Sequence, residues 1–195
     1  KNNMQILSSM IRLLARRAES AELRGVLSES EARIRSMGLL HEKLYQSDSV
    51  SVIDISAYLR SLTNELVRMN VRSCSQVEIK LAVHDVQMGI DTALPCGLIV
   101  TELVSNSMKY AFPANRAGAA ILVSISKTNT GEYSLIVWDN GIGVPADFDI
   151  SKSKSLGLRL VTMLCAQLNG EMHVSGQRGT RIEIRFKESE YATRI

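Results

Sequence analysis

Long uncharged apolar runs are missing from this 195-residue chain, and none approaches the ~18 residues needed to span a bilayer. A secretory leader pattern is missing too. Cysteine is scarce. The three that occur, Cys74, Cys96 and Cys165, are odd in number and far apart, which fits neither a disulfide framework nor a zinc site. Reduced thiols in a cytosolic, cytoplasmic domain are expected, whether or not the whole protein is anchored to a membrane elsewhere. Neither sign of charge dominates: 23 Lys and Arg against 20 Asp and Glu leave +3. The basic residues are not clustered as in a nucleic-acid binder, so nucleic acid is not an expected partner, while an anionic ligand is allowed. No internal repeat or low-complexity segment appears. Neither a GxxxxGK[ST] loop nor a GxGxxG fingerprint is present, which excludes a P-loop enzyme and a Rossmann dehydrogenase. What remains is 45% hydrophobic and 22% charged, an ordinary folded composition, long enough for one or two domains.

The chain reads as helical from its first residues. Met4, Leu7, Ile11 and Leu14 fall on one stripe. No capping residue precedes them, so Lys1 reads as the middle of a helix, and an excised fragment or a missing head is expected. A second stripe runs through Leu23, Leu27, Ile34, Met37, His41 and Leu44, with Ser30 and His41 at inward positions. A tight turn near Ala18 to Glu22 would make the two helices an antiparallel hairpin, needing a second copy or the rest of the chain to cover its stripe. Polar residues from Gln46 to Ser51 mark a boundary. Residues 1–48 are therefore assigned to a helical hairpin, 49–188 to a second domain and 189–195 to a tail.

In the second domain Asp54 is placed to cap a helix carrying Ile55, Leu59, Leu62, Leu66 and Met69. From Gln76 to Val83 the apolar period changes to two, and similar strands read at Ile121–Ser126, Tyr133–Trp138, Glu171–Ser175 and Thr180–Phe186. Helical stretches at Ala93–Tyr110 and Leu156–Leu168 lie between them. The expected class is α+β: an antiparallel two-helix hairpin followed by an α/β sandwich, one mixed sheet with helices on one face.

Four short segments carry chemistry. In Glu102–Phe112, residues Glu102, Asn106 and Lys109 stand four and three apart, sharing one helical face. A carboxylate, an amide oxygen and an ammonium there suit a magnesium-phosphate ligand. A solvated polar face is the plainer alternative. Asp139 ends an apolar strand before Asn140-Gly141-Ile142-Gly143. A part-buried carboxylate there can accept one defined hydrogen bond, such as that from an adenine amine, and the two glycines let backbone approach a flat ring. An ordinary Asp-Asn-Gly turn has the same letters. Ser155-Leu156-Gly157-Leu158 opens an apolar helix, a ready anion site or mere helix-start punctuation. Gly179-Thr180 sits in a turn that could approach the same ligand or simply make a hairpin.

Taken together, in this order and spacing, the four segments resemble the GHKL ATPase superfamily, most closely the sensor histidine kinases of the second HisKA subfamily and the neighbouring HWE kinases. Glu102–Phe112 resembles the family's N box, Asp139–Gly143 and Ser155–Leu158 its two glycine boxes, and Gly179-Thr180 its closing Gly-Thr. Lys1-Asn2-Asn3-Met4-Gln5 resembles the end of the phosphoacceptor box, and His41–Ser47 the end of the second bundle helix. The resemblance implies a GHKL-type sandwich that binds Mg-ATP and transfers its γ-phosphoryl to a histidine and on to an aspartate of a response-regulator receiver domain.

By the same resemblance, Asn106 binds Mg²⁺, Glu102 assists the metal or its waters, and Lys109 and Tyr110 lie near the phosphates or ribose. Asp139 takes the adenine amine, and Gly141 and Gly143 shape the base pocket. Ser155, Gly157 and Leu158 belong to the lid and phosphate region, and Thr180 lies near the adenine. Glu102, Asn106 and Lys109 are the expected catalytic group. The lid, Val144 to Lys154, is short. The family's acceptor histidine would fall three residues before Lys1. His84 and His173 are not placed like an acceptor, and His41 is expected to be structural. A homodimer through the hairpin is expected. The alternatives are a GHKL ATP hydrolase with Glu102 as general base, and a non-catalytic nucleotide- or partner-binding module.

Overall fold

In the computed structural model the described residues are 2–46, 52–70, 77–83, 86–113, 117–145, 147–153, 155–176 and 178–188, without the side chains of residues 2, 41, 43–46 and 70. The hairpin forms as expected from α1 (Asn2–Arg17) and α2 (Ala21–Gln46). Ser20 opens the second helix, its Oγ accepting from Leu23 N at 3.0 Å. The face that pairs the helices differs from the expected stripe. Glu31, 8% exposed, accepts from Arg12 Nε and Nη2 at 2.9 and 2.6 Å and from Ser8 Oγ at 3.4 Å. Those bonds rotate α1 so that Ser8 and Arg12 turn inward with Met4 and Ile11. Leu7 and Leu14 stand about half exposed beside Ile6, Met10 and Leu13. A charge pairing has overridden the apolar count, leaving an open apolar face on the hairpin.

The second half of α2 does not stand apart from the sandwich. Ala32, Ser36 and Leu40, four residues apart, are all buried. They pack on α3 (Ile55–Asn70) and α4 (Ile90–Asn106), in one continuous core with the sheet. Ser36 Oγ lies 3.1 Å from the hydroxyl of Tyr58 on α3. Burial pushes that phenol up to about 12. The ring reaches its place only because Gly97 on α4 has no side chain: a Cβ there would collide with the ring and hydroxyl. Arg35 pairs with Glu65 of α3 on the same side. The expected boundary at residues 48/49 lies outside the described residues.

Asp54 caps α3 as expected, Oδ1 accepting from Ala57 N at 3.0 Å. All five expected strands form: β2 (Glu78–Val83), β4 (Ala120–Lys127), β5 (Glu132–Asp139), β6 (Glu171–Ser175) and β7 (Arg181–Lys187). Among the described residues they make one sheet in the order β2-β4-β5-β7-β6, with β2 parallel to β4 and every other pair antiparallel. Alternation puts Ile121, Val123, Ile125, Tyr133, Leu135 and Val137 on the face covered by α3, α4 and α5 (Leu156–Gln167). The other face is mixed, with Leu122, Ile136 and Trp138 among polar residues. There Glu183 is held between Arg181 and Arg185 with Ser134 donating, which lowers its carboxyl to about 2. A two-stranded ribbon of β1 (Val52–Asp54) and β3 (Gln87–Gly89) was not expected, because three-residue strands carry no readable period.

Among the described residues no helix is long and apolar enough to cross a membrane. Cys96 and Cys165 are buried and free, while Cys74 and His84 lie outside the described residues. Gly97→Ala should therefore cost about 1–3 kcal/mol by overpacking the α2–α3–α4 junction. A thermal melt several degrees lower is the expected readout, and an unchanged melt would mean that Tyr58 moves aside freely.

Candidate functional site

The end of β5 meets the end of α4, and there the helix changes its winding. After Asn106 the chain takes a wider π-type turn, Ser107–Ala111. Such turns are local devices for re-aiming side chains, and they concentrate at functional sites. Here the turn brings Ser107 Oγ to Asp139, where it donates to Oδ2 at 2.8 Å. Oδ1 accepts from the backbone N–H of Gly141 at 2.9 Å and of Thr180 at 3.1 Å. The carboxylate is 2% exposed. It offers about four lone-pair sites, and three are filled, so one acceptor position is left.

Glycines make this junction possible. A Cβ on Gly141 would strike the carbonyl of Ala111, which itself accepts from Ile142 N at 2.9 Å. Gly143 has φ +78°, and a Cβ there would run into the carbonyl of Gly176. The backbone of Asp139 also donates to Thr180 O at 2.9 Å.

Beside the carboxylate lies a cavity of about 280 Å³. Its walls are Leu103, Val137, Val144, Phe148, Leu158 and Ile182, with Tyr110, Ala111 and Gly143. The polar groups are few: Asn106, Ser107, Asp139, Ser155 and Thr180. An apolar slot with a handful of polar edges suits a flat heteroaromatic ring. Ser155 caps α5, its Oγ accepting from Leu158 N at 3.2 Å, so a twelve-residue helix points its N-terminal dipole end at the cavity's rim. Asn106 Nδ2 is buried without a hydrogen-bond partner. The two ends of an amide exchange by a flip, so this orphan can offer either a donor to a phosphate or an oxygen to a hard cation.

Of the expected site residues, the cavity gathers Asn106, Tyr110, Asp139, Gly143, Ser155, Leu158 and Thr180. Gly141 supports Asp139 from behind. Glu102 and Lys109 do not line the cavity with Asn106. Glu102 is buried and both its oxygens are held by Arg33 of α2, from Nε at 2.6 Å and Nη2 at 2.9 Å. Lys109 donates instead to Glu29 of α2 at 2.7 Å. The docked hairpin holds both side chains, and neither joins Asn106 in lining the cavity. Gly157 does not line the cavity either. It is buried against Glu102, whose Oε2 occupies the space a Cβ would need. The stretch expected to be the lid includes, among its described residues, a 3₁₀ turn, Ile150–Lys152, capped by Asp149, whose carboxyl the Ser151 and Lys152 bonds lower.

Sequence reasoning missed Ser107, Arg33 and Glu29. Ser107 follows Asn106 directly, and its small hydroxyl gave no periodic signal. Glu29 and Arg33 are an i,i+4 pair, 3.7 Å apart, that looks like any solvated helix face. The Arg33 guanidinium is raised above its ordinary value, chiefly by its hydrogen bonds to Glu102. His173 does not line this cavity. The imidazole of His173 is half exposed on β6, 3.4 Å from Glu171, and the side chain of His41 lies outside the described residues.

Comparison with known proteins gives two family matches, one described as histidine kinase over residues 1–70, the other as histidine kinase-, DNA gyrase B-, and HSP90-like ATPase over residues 91–190. The chain is similar to sensor histidine kinase PdtaS of Mycobacterium tuberculosis, 30% identical over 194 residues, covering 95% of this chain and 37% of that protein. It is also similar to blue-light-activated histidine kinase 2 of Erythrobacter litoralis, 27% identical, covering all of this chain and 56% of that protein. The chain thus spans about a third to a half of these relatives. Among solved structures, the histidine kinase domain from Erythrobacter litoralis EL346 blue-light activated histidine kinase has the same fold. Its TM-score is 0.74 at 22% identity, over 93% of this chain and 95% of that one.

Ser107→Ala should leave Asp139 Oδ2 without its donor on a carboxylate that is 2% exposed. A loss of about 1–3 kcal/mol in unfolding free energy is expected from denaturant titration. No loss would mean that Oδ2 finds another partner.

Proposed function

We infer the function from one premise: the chain belongs to the histidine kinase-, DNA gyrase B-, and HSP90-like ATPase family, with a histidine kinase segment ahead of its ATPase region. We propose that it is the catalytic portion of a two-component sensor histidine kinase. It binds Mg-ATP and passes the γ-phosphoryl group to a histidine, from which an aspartate of a response-regulator receiver domain receives it. The observation that carries this reading is the last free acceptor position of Asp139 beside an apolar slot. That position suits the exocyclic amine of adenine.

The protein's share of the chemistry is positioning and charge neutralisation. Asp139 and Thr180 fix the base, with Leu103, Val137 and Ile182 against its faces. The dipole of α5 and the hydroxyl of Ser155 sit where phosphates can reach them. Asn106 is the residue that would hold Mg²⁺, and its unpaired buried amide fits that role. Bound there, the ion would neutralise phosphate charge. Tyr110, 69% exposed at the cavity edge, can cover the ribose. Arg33 occupies both oxygens of Glu102, which counts against a hydrolase in which Glu102 activates water. The presence of both Asp139 and Asn106 counts against a module that has lost nucleotide binding. The open apolar face of α1, continued by Leu23 and Val26 of α2, supports a homodimer through the hairpin.

Calorimetric titration with ATP and Mg²⁺ tests the reading. Saturable binding is expected in the parent chain, weakened by chelation of the metal and lost in Asp139→Ala. A folded chain that binds no ATP would overturn it and favour the partner-binding module.

A further inference from the structure

Four charged side chains form an unbroken line between the hairpin and the site helix. Lys109 Nζ donates to Glu29 Oε1 at 2.7 Å, Glu29 stands 3.7 Å from Arg33, and Arg33 grips Glu102 through two bonds. The signs alternate along the line. Its two ends differ in kind. The Arg33–Glu102 end is bidentate and nearly closed to solvent, with the two side chains 13% and 6% exposed. It is a fixed joint, and breaking it would strand a buried charge. The Lys109–Glu29 end is a single bond between side chains 32% and 27% exposed. Such a pair holds weakly and exchanges readily.

Lys109 is the neighbour of Tyr110 and lies three residues from Asn106, both of which line the cavity. A lysine chain is flexible and carries a compact charge, so it can swing between acceptors on opposite sides of its own turn. Glu29 offers one carboxylate on the hairpin side. A polyphosphate beside Asn106 would offer several anionic oxygens on the other.

We propose that Glu29 is a positioning residue of the nucleotide site: it competes with the nucleotide's phosphates for Lys109, so that phosphate binding and the docking of α2 are coupled through one shared cation. Arg33 and Glu102 keep α2 anchored during the exchange. Because Glu102 also fills the space beside Gly157, the anchor extends to the start of α5. The coupling is reciprocal: whatever shifts α2 changes the affinity for a triphosphate, and a bound triphosphate loosens the outer end of α2. This inference rests on the nucleotide-binding reading above and adds to it a competitor built into the hairpin.

The test is calorimetry on the whole chain with ATP and with adenosine, comparing the parent, Glu29→Gln, Lys109→Met and the double variant. Glu29→Gln should bind ATP about two- to fivefold more tightly, the release of one part-exposed ion pair, with adenosine unchanged. Lys109→Met should weaken ATP, and adding Glu29→Gln to it should then change nothing. Unchanged or weaker ATP binding by Glu29→Gln would overturn the proposal, as would an equal gain for adenosine or a gain that persists without Lys109. If the parent and Lys109→Met bind ATP equally, Lys109 serves no phosphate and the competition is refuted while nucleotide binding stands. If no folded variant binds ATP or adenosine, the nucleotide reading itself fails and the competition falls with it.

Discussion

The carboxylate of Asp139 is the constraint on which the site depends. A carboxylate 2% exposed is tolerable only if its lone pairs are filled. The chain fills them from three directions: the turn after β5 supplies Gly141 N–H, the start of β7 supplies Thr180 N–H, and the turn after α4 supplies Ser107. That demand explains the π-type turn, since Ser107 must face β5 while Asn106 lines the cavity. It also explains why Gly141 and Gly179 are glycines, because a Cβ on either would strike the backbone that closes the cradle. The one position left open faces the apolar slot. On the proposed reading, recognition of a donor on a flat base would follow from the same cradle that satisfies a buried charge.

A second layer of organisation comes from α2. The hairpin is neither a free arm nor an independent bundle. Ser36 reaches Tyr58 over Gly97, and Arg33 reaches Glu102, so α2 shares the core of the sandwich over its second half. The first half carries exposed apolar residues that no described residue covers. One helix thus carries two surfaces: a buried one that touches α4, and an open apolar one. The same helix carries both the open apolar residues and the contact from Arg33 to Glu102.

Much of this was legible in the letters, for physical reasons. Alternating Val, Ile and Leu on β4, β5 and β7 announces a half-buried sheet, because the period of two is set by backbone geometry alone. Asp54 announces its helix because capping is local. Asp139 was legible because a carboxylate at the end of an apolar strand, followed by two glycines, is an unusual local combination. The directions of Glu102 and Lys109 were not, because their partners lie 69 and 80 residues away on another helix. Helical spacing says which residues share a face but not what that face meets. The inward line of α1 failed for a related reason: Glu31, Arg12 and Ser8 decide the rotation, and a count of apolar residues cannot see them. The ribbon of β1 and β3 is too short to carry a period, and a π-type turn has no periodic signature in five residues.

The most direct test of the central claim is a side-by-side titration with ATP and inosine triphosphate, which carries a carbonyl where adenine carries its amine. If the open acceptor of Asp139 reads that amine, inosine triphosphate must bind at least about tenfold more weakly, since a carbonyl facing a buried carboxylate loses a charge-assisted hydrogen bond and meets repulsion. Equal affinity for the two nucleotides would contradict the account and leave Asp139 as a structural strut with no part in recognition.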